Sequence, residues 1–243
     1  GSRVTVVGNG FGDKEQIHII FGTNGTITTV STGQDGTFTA IWTIDTQPYG
    51  TTTIVIIGFS SGEAQTRTCR ITAKVINVAP TEGPVGVVIT VEGNGYGLSE
   101  SVWIDFGITS TIAVTTTNKY GYFIVYFTAT PQAGKPATIT ATGLNTGARD
   151  VYDMPFNVKA GIVSMTPTTG TVGTIITVMG ASYSPTAPIR IDFGTTRTIY
   201  QVTSGADGGF TIQFTINTQS AGITTVKATN VDTPSQVDSR IFT

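Results

Sequence analysis

The stretch TVEGNGYG, residues 90–97, has two counterparts in this chain of 243 residues. They are TVVGNGFG from Thr5 and TVMGASYS from Thr177, so the copies begin 85 and 87 residues apart. Two further landmarks keep these spacings: IIFG, IDFG and IDFG begin at residues 19, 104 and 191, and DGTF, YGYF and DGGF begin at residues 35, 120 and 207. Three landmarks with one spacing predict three copies of a single structural module.

A proline-containing segment precedes the second and third copies but has no counterpart before the first. APTEGPVGVVITV from Ala79 matches TPTTGTVGTIITV from Thr166, whereas the first copy begins with RVTVVG, which corresponds to the second strand of the module. We therefore expect modules at residues 1–76, 77–160 and 161–243, the first lacking its first strand, within a longer array. The edge at Arg3 to Val7 would then be prone to pair with a neighbouring chain.

Short runs of β-branched and aromatic residues, separated by turn signals, fill each copy. In GVVITVEG, residues 86–93, the odd positions are apolar and predict one buried face. In the next run, Val102, Ile104 and Phe106 share a face and Trp103 points the other way. Six or seven such strands per copy, without helical periodicity, predict an all-β fold of three tandem immunoglobulin-like β-sandwiches in a rod.

Composition excludes several classes of protein. The net charge is −2 with no basic stripe, which argues against nucleic acid as a partner. Cys69 is the only cysteine, so the chain has no internal disulfide framework. The apolar runs are too short for a membrane span, so we expect no membrane insertion in this segment.

Two motifs imitate nucleotide-binding sequences. Asp-Phe-Gly occurs at residues 105–107 and 192–194, but a kinase also needs a catalytic His-Arg-Asp loop, and the only histidine is His18. Ile20 replaces the aspartate in the first copy, so we interpret the phenylalanines as core residues. The glycine-rich stretches at residues 8–12 and 93–97 precede strands, whereas a dinucleotide fingerprint precedes a helix. We therefore predict no catalytic site, no cofactor-binding residue and no enzyme.

Other residue types suggest weaker candidate sites. Tandem modules can bind calcium at their joints, and the carboxylates nearest the ends of the second module are Glu82, Asp150 and Asp153. Aromatic side chains suited to ligand binding are Trp103, Tyr120 and Tyr122. Asn24-Gly25-Thr26 is the only N-glycosylation sequon, with Asn24 as the acceptor. No other cofactor is expected.

The order of conserved residue types resembles the IPT/TIG family of immunoglobulin-like modules. The pattern P-x-x-G-x-x-G-x-x-(I/V)-T-V-x-G-x-x-(F/Y), followed by a strand ending in Phe-Gly, is met in the middle copy by Pro80, Gly83, Gly86, Ile89, Thr90, Val91, Gly93, Tyr96 and Phe106-Gly107. The third copy matches from Pro167 but has Ala181-Ser182 where the others have Asn-Gly. The resemblance implies an immunoglobulin-like fold and tandem modules of prokaryotic cell-surface proteins.

The resemblance and the short joints together suggest a function. We expect a non-catalytic segment of a surface-layer or cell-envelope protein, located outside the cell, that self-assembles or spaces other parts from it. Its partners would be copies of itself, neighbouring surface proteins or glycans. Two alternatives remain: an adhesin stalk whose modules bind glycan or protein ligands, and accessory modules of a secreted polysaccharide-active enzyme.

Overall fold

The computed structural model describes all residues, 1–243, and contains 22 β-strands and no helix. The first group of strands is β1 (Arg3–Gly8), β2 (Gln16–Phe21), β3 (Thr26–Ser31), β4 (Phe38–Thr43), β5 (Gly50–Gly58) and β6 (Ala64–Ile71). The second is β7 (Lys74–Ala79), β8 (Glu82–Pro84), β9 (Val88–Asn94), β10 (Ser101–Phe106), β11 (Thr109–Thr116), β12 (Phe123–Thr128), β13 (Ile139–Gly143), β14 (Arg149–Val151) and β15 (Asn157–Lys159). The third is β16 (Gly161–Thr166), β17 (Ile175–Ala181), β18 (Pro188–Phe193), β19 (Thr196–Thr203), β20 (Phe210–Thr215), β21 (Thr224–Asn230) and β22 (Val237–Phe242).

Strand pairing confirms tandem all-β sandwiches. In the second group, the sheet β12-β9-β7 faces the sheet β11-β10-β13-β14, and the third group repeats this with β16-β17-β20 and β19-β18-β21-β22. A short parallel pair, β15 with β8, closes one end of the second sandwich. We call β7 and β16 the leader strands, because each is the first strand of its sandwich.

The first sandwich has the same four-stranded sheet, β3-β2-β5-β6, but its other sheet contains only β1 and β4. β1 pairs with β4 along one edge, and no strand of residues 1–243 pairs with its other edge. The equivalent strands β9 and β17 each have two neighbours. Within residues 1–243, the β1-β4 sheet thus has two strands where the equivalent sheets have three.

The boundary expected between residues 76 and 77 is three residues too late. β7 starts at Lys74, where Lys74 pairs with Asn94 and Val75 pairs with Gly93 of β9. Val75 is almost fully buried in the second core, and its N–H is bound by Asp150 of the same sandwich. Burial of this side chain thus assigns Lys74 and Val75 to the second sandwich.

Each sandwich has its own hydrophobic core. Phe21, Phe106 and Phe193 are fully buried or nearly so, which confirms their predicted role as core residues. The second and third cores contain 19 and 16 buried residues, whereas the first contains eight. The predicted inner faces of β9 and β10 are buried, and only Val87, just before β9, is half-buried. The small first core follows from its incomplete sheet.

Candidate functional site

The aspartate of each Asp-Phe-Gly motif caps a hairpin. Asp105 Oδ1 accepts the N–H of Thr111 at 2.8 Å, and Asp192 Oδ1 accepts the N–H of Thr198 at 2.9 Å. Both threonines have positive φ, 48° and 60°, in the β-bulge of the hairpin. In the first sandwich, Ile20 pairs with a threonine of normal φ, so no carboxylate is needed there. The motif therefore stabilises a turn.

The last position of the motif requires glycine, because its φ is positive and a side chain there would collide with a neighbour. Gly107 has φ +53°, and a Cβ there would lie 2.1 Å from Gln132 Oε1. This oxygen accepts the N–H of Ile108 at 3.1 Å, which closes the turn. In the same way, Gln47 Oε1 accepts the N–H of Thr23 and Gln219 Oε1 accepts the N–H of Thr195. The three glutamines follow the 85- and 87-residue spacings, but the sequence analysis overlooked them.

A buried glutamate fastens two loops together in the second sandwich. Glu100 is 1% exposed, and its carboxylate accepts the N–H groups of Asn145 at 3.1 Å, of Thr146 at 3.0 Å, and of Gly97. The buried Thr117 hydroxyl donates to the Gly97 carbonyl at 2.6 Å and accepts the Glu100 N–H at 2.9 Å. Sequence patterns did not predict this role of Glu100, because its loop donors lie 45 and 46 residues away along the chain.

The first sandwich repeats this fastening. Glu15 accepts N–H groups of Gly12, Ser60 and Ser61 at 2.5 to 2.9 Å. The Ser61 N–H, followed by that of Gly12, holds the pKa of Glu15 below its ordinary 4.5. Thr32 plays the part of Thr117. Because backbone N–H groups donate to both carboxylate oxygens, Glu15 stabilises the fold of the first sandwich.

In the third sandwich Ala187 occupies the position of the glutamate, and the side-chain amide of Gln236 accepts the hydrogen bonds instead. Gln236 Oε1 accepts the N–H of Ser184 at 2.9 Å and a side-chain N–H of Asn230 at 2.8 Å. Ser204 replaces the threonine and donates to the Ser184 carbonyl at 2.6 Å. The three copies thus satisfy the same loop with different residues.

The three carboxylates proposed for calcium do not converge. Asp150 and Asp153 lie 3.8 and 2.8 Å from the Lys74 ammonium, whereas Glu82 pairs with Lys159 at 2.7 Å. The Asp153 carboxylate raises the pKa of Lys74, and Lys159 lowers the pKa of Glu82. No three His, Cys, Asp or Glu side chains of the chain are grouped to hold a metal ion. Calcium binding stays a prediction, and it would require displacement of Lys74.

The aromatic candidates lie on both sheets of the second sandwich. Trp103 projects from β10 opposite Val114 and is 43% exposed. Tyr120 lies in the turn before β12, where the Lys119 ammonium sits 4.9 Å from its ring centre. The Tyr122 hydroxyl donates to Glu92 at 2.6 Å, which raises the pKa of Tyr122 to about 12. Trp103 and the tyrosines therefore do not share one sheet face.

A row of exposed side chains on β12 was not identified from the sequence. Tyr126 is 61% exposed and Ile124 is 39% exposed, and both point away from the core on alternate positions. With Tyr122 they form what we call the β12 row. The corresponding outward residues of β20 are Thr211 and Gln213, so the third sandwich has no such row. Alternation along β12 is the signal that identifies it.

The remaining candidates are single side chains. Asn24 lies in the β2–β3 turn, and its amide nitrogen donates to Asp45 at 3.1 Å, so glycosylation there stays a prediction. His18 stacks on Phe59 with ring centres 5.2 Å apart. Burial raises the pKa of the half-buried Cys69 thiol. The chain contains no helix able to span a membrane.

Comparisons with known proteins concern the fold alone. No protein-family model matches the sequence, and a comparison with curated proteins found no match. The BSP domain of a biofilm-associated protein is 10% identical, with a TM-score of 0.27 over 97% of this chain and 61% of that one. Invasin, a bacterial integrin-binding protein, is 11% identical, with a TM-score of 0.25 over 99% and 79%. The central fibronectin-III array of RIM-binding protein is 8% identical, with a TM-score of 0.27 over 94% and 87%.

Proposed function

We propose that the chain is a non-catalytic segment of a cell-surface protein, built of IPT/TIG-like modules, that spaces or assembles parts of a surface layer or cell envelope. The observation that carries the proposal is that the repeated polar side chains of the chain make hydrogen bonds within their own sandwich. The repeated Asp, Glu and Gln side chains described above bind backbone N–H groups of their own sandwich. The glutamine bond occurs in all three copies, and the aspartate and glutamate bonds each occur in two, which suits a protein whose task is to hold a shape.

The joints between sandwiches support this proposal. At the first joint, the N–H of Tyr49 donates to the carbonyl of Tyr96 at 2.8 Å, and the Tyr49 ring packs against the second core. At the second joint, the N–H of Gln132 donates to Ser182 Oγ at 3.1 Å. In both cases the loop before β5 or its equivalent β13 contacts the turn of the next sandwich that contains Tyr96 or Tyr183. These contacts connect each sandwich directly to the next one.

Electron microscopy of the producing cell tests the proposal. Gold-labelled antibodies raised against the purified chain should decorate the outer envelope at a regular spacing, and extracted envelopes should retain the protein as ordered sheets or filaments. Antibodies against a cytosolic protein serve as the control. Label confined to the cell interior, or scattered on the surface without order, would contradict a structural envelope role.

The β12 row favours the second candidate, a binding module of an adhesin. An exposed tyrosine on a sheet face, here Tyr126, suits stacking against a sugar ring or packing against a protein partner. On a glycan array, the intact chain should then bind a defined set of glycans, and Tyr126→Ala should reduce binding at least tenfold. Tyr200→Ala, on the third sandwich, is the matched control because Tyr200 is also exposed. Absence of any glycan signal, or equal loss with both variants, would remove the glycan form of this candidate.

A further inference from the structure

The four-stranded sheet of the first sandwich has an apolar outer face. The side chains of its central strands β2 and β5 alternate between the core and the outside, and the outward ones include His18, Ile20, Val55 and Ile57. His18 lies beside Ile57, and Ile20 lies beside Val55. Phe59, in the turn after β5, is 69% exposed and stacks on the His18 ring. We call these five residues the β2–β5 face.

Two rows of outward side chains cross all four strands of this sheet, and neither row contains Asp, Glu, Lys or Arg. Read across β3, β2, β5 and β6, the rows are Thr29-His18-Ile57-Ala64 and Thr26-Ile20-Val55-Thr66. The residues at both ends of each row are exposed. The surface is therefore apolar in the middle and bordered mainly by threonine hydroxyl groups.

The equivalent rows of the other two sandwiches carry charges. In the second sandwich they contain Asp105 and Arg149, and in the third they contain Arg190, Asp192 and Lys227. Because the module folds with charges at these positions, the fold of the first sandwich does not require apolar side chains there. Their presence marks the β2–β5 face as a surface for contact with another molecule.

The chemistry of this face suits a second copy of the same face. Two identical surfaces that meet about a two-fold axis bring like groups together, so a face with charges of one sign repels its own copy. The two rows contain no such charge, and each threonine hydroxyl can both donate to and accept from another hydroxyl. The net charge of −2 on the whole chain adds little repulsion between copies.

The size of the face predicts a weak contact. Four strands about 4.8 Å apart, each about six residues long with a rise of about 3.3 Å per residue, present about 400 Å² per copy. A stable complex buries about 800 Å² per partner, so two copies joined only here are held weakly. A layer in which many copies repeat the contact gains the strength that a single pair lacks.

We propose that the β2–β5 face packs against the same face of a second copy of this chain, as a weak contact that a layer of copies multiplies. The apolar side chains of both copies fill the space between the two sheets, and the threonines form the rim. This inference rests on the proposed function, because an assembling layer makes a weak contact effective. The isolated chain should associate with itself with a Kd of about 10 µM to 1 mM.

Sedimentation velocity of the intact chain, at concentrations up to about 1 mM, tests the contact. Ile20→Asp and Val55→Lys each place one charge in the face, and Asp192 and Lys227 occupy the equivalent positions of the third sandwich. Each variant should associate with itself at least about tenfold more weakly, because its charge loses water and meets a like charge. Val114→Lys, at an exposed valine on the four-stranded sheet of the second sandwich, is the matched control and should associate like the unmodified chain.

A mixture of the two variants tests whether the partner is the chain itself. Ile20 and Val55 are neighbours in the sheet, so face-to-face packing brings the new carboxylate of one copy near the new ammonium of the other. The mixture should therefore associate at least about threefold more tightly than either variant does with itself, because attraction replaces repulsion. A face that serves only a different partner would show no such recovery.

Three results overturn the proposal: the unmodified chain stays monomeric up to about 1 mM, Ile20→Asp and Val55→Lys associate as tightly as it does, or Val114→Lys weakens association equally. Circular dichroism melting checks the fold of each variant, and if one does not fold, the other still decides. Ordered labelling of the envelope without an effect of the two variants would remove this face and leave the envelope role. Weakened association of the variants together with label confined to the cell interior would do the reverse.

Discussion

Asp105 and Phe106 are neighbours in one strand, yet the structure indicates that they contribute very different amounts to the stability of the second sandwich. Phe106 is fully buried and packs against Phe127 and Phe156 at ring-centre distances of 5.5 and 5.6 Å. Asp105 makes one exposed hydrogen bond to a hairpin. The order of importance is thus the reverse of what a magnesium-binding motif would show.

Replacing each of these residues measures the difference. Phe106→Ala should destabilise the second sandwich by about 3–5 kcal/mol, because it removes a ring from a packed core. Asp105→Ala should cost about 1 kcal/mol, the value of one hydrogen bond. Denaturant unfolding followed by circular dichroism provides both values. Equal losses, or a larger loss for Asp105→Ala, would show that the carboxylate has a role beyond the turn.

Glu15 makes the stability of the first sandwich depend on pH. Its pKa is lowered in the folded state, so its ionised form stabilises the fold above the ordinary value of 4.5, and this stabilisation is lost as the pH falls through the lowered pKa. Glu15→Gln should therefore melt at a lower temperature than the unmodified chain at pH 7, and the gap should narrow at pH 3. Exposed Glu63→Gln is the control. A gap that is independent of pH would contradict the role of the Glu15 carboxylate.

At this scale the sequence predicted apolar positions better than polar ones. Period-two alternation alone identified Val102, Ile104 and Phe106 as one buried face, because alternation follows from strand geometry. It could not identify Glu100, whose N–H donors at Asn145 and Thr146 come from a loop 45 residues away. Long-range polar contacts of this kind require the fold to be known first.

Among the elements, the leader strands show how local sequence and packing combine. The two apolar residues of β16 that enter the core, Ile162 and Met165, are three positions apart. Side chains on one face of a regular strand are two positions apart, and a single pair of residues is too short a pattern to indicate a helix. The β-bulge at residues 162–164 reconciles the spacing with a strand. The proline and the strand that follows it were predictable from the repeat. The start of the second module was predicted too late, because the bulge of β7 between Val75 and Asn77 breaks the alternation that marks a strand.

Asp238 should control how firmly β16 is held. Asp238→Ala removes the acceptor of the Ile162 N–H, so the hydrogen-exchange rate of that amide should rise about tenfold, which corresponds to one lost hydrogen bond. Asp232→Ala is the control, because Asp232 is an exposed carboxylate of the same sandwich. Unchanged exchange at Ile162 would show that sheet pairing alone fixes the leader strand.

Across the whole molecule, one module appears three times, with cores of 8, 19 and 16 buried residues in chain order. The repeat spacing predicted the three copies, since they follow from aligning the chain with itself. It could not predict the joints, because Tyr49 and Ser182 are replaced by other residue types at the equivalent positions of the other copies. The β12 row and the open edge of β1 likewise emerge only when the sheets are assembled.

Hydrogen exchange along the whole chain, resolved by mass spectrometry, tests the central claim that the first sandwich is the same module with an open edge. Amides of β1 and β4 should exchange at least tenfold faster than those of the equivalent strands β9 and β12, and of β17 and β20, because their sheet has two strands where the others have three. The four-stranded sheets of all three sandwiches should be protected to similar extents. Equal protection of β1 and β9 in the isolated chain would contradict the account.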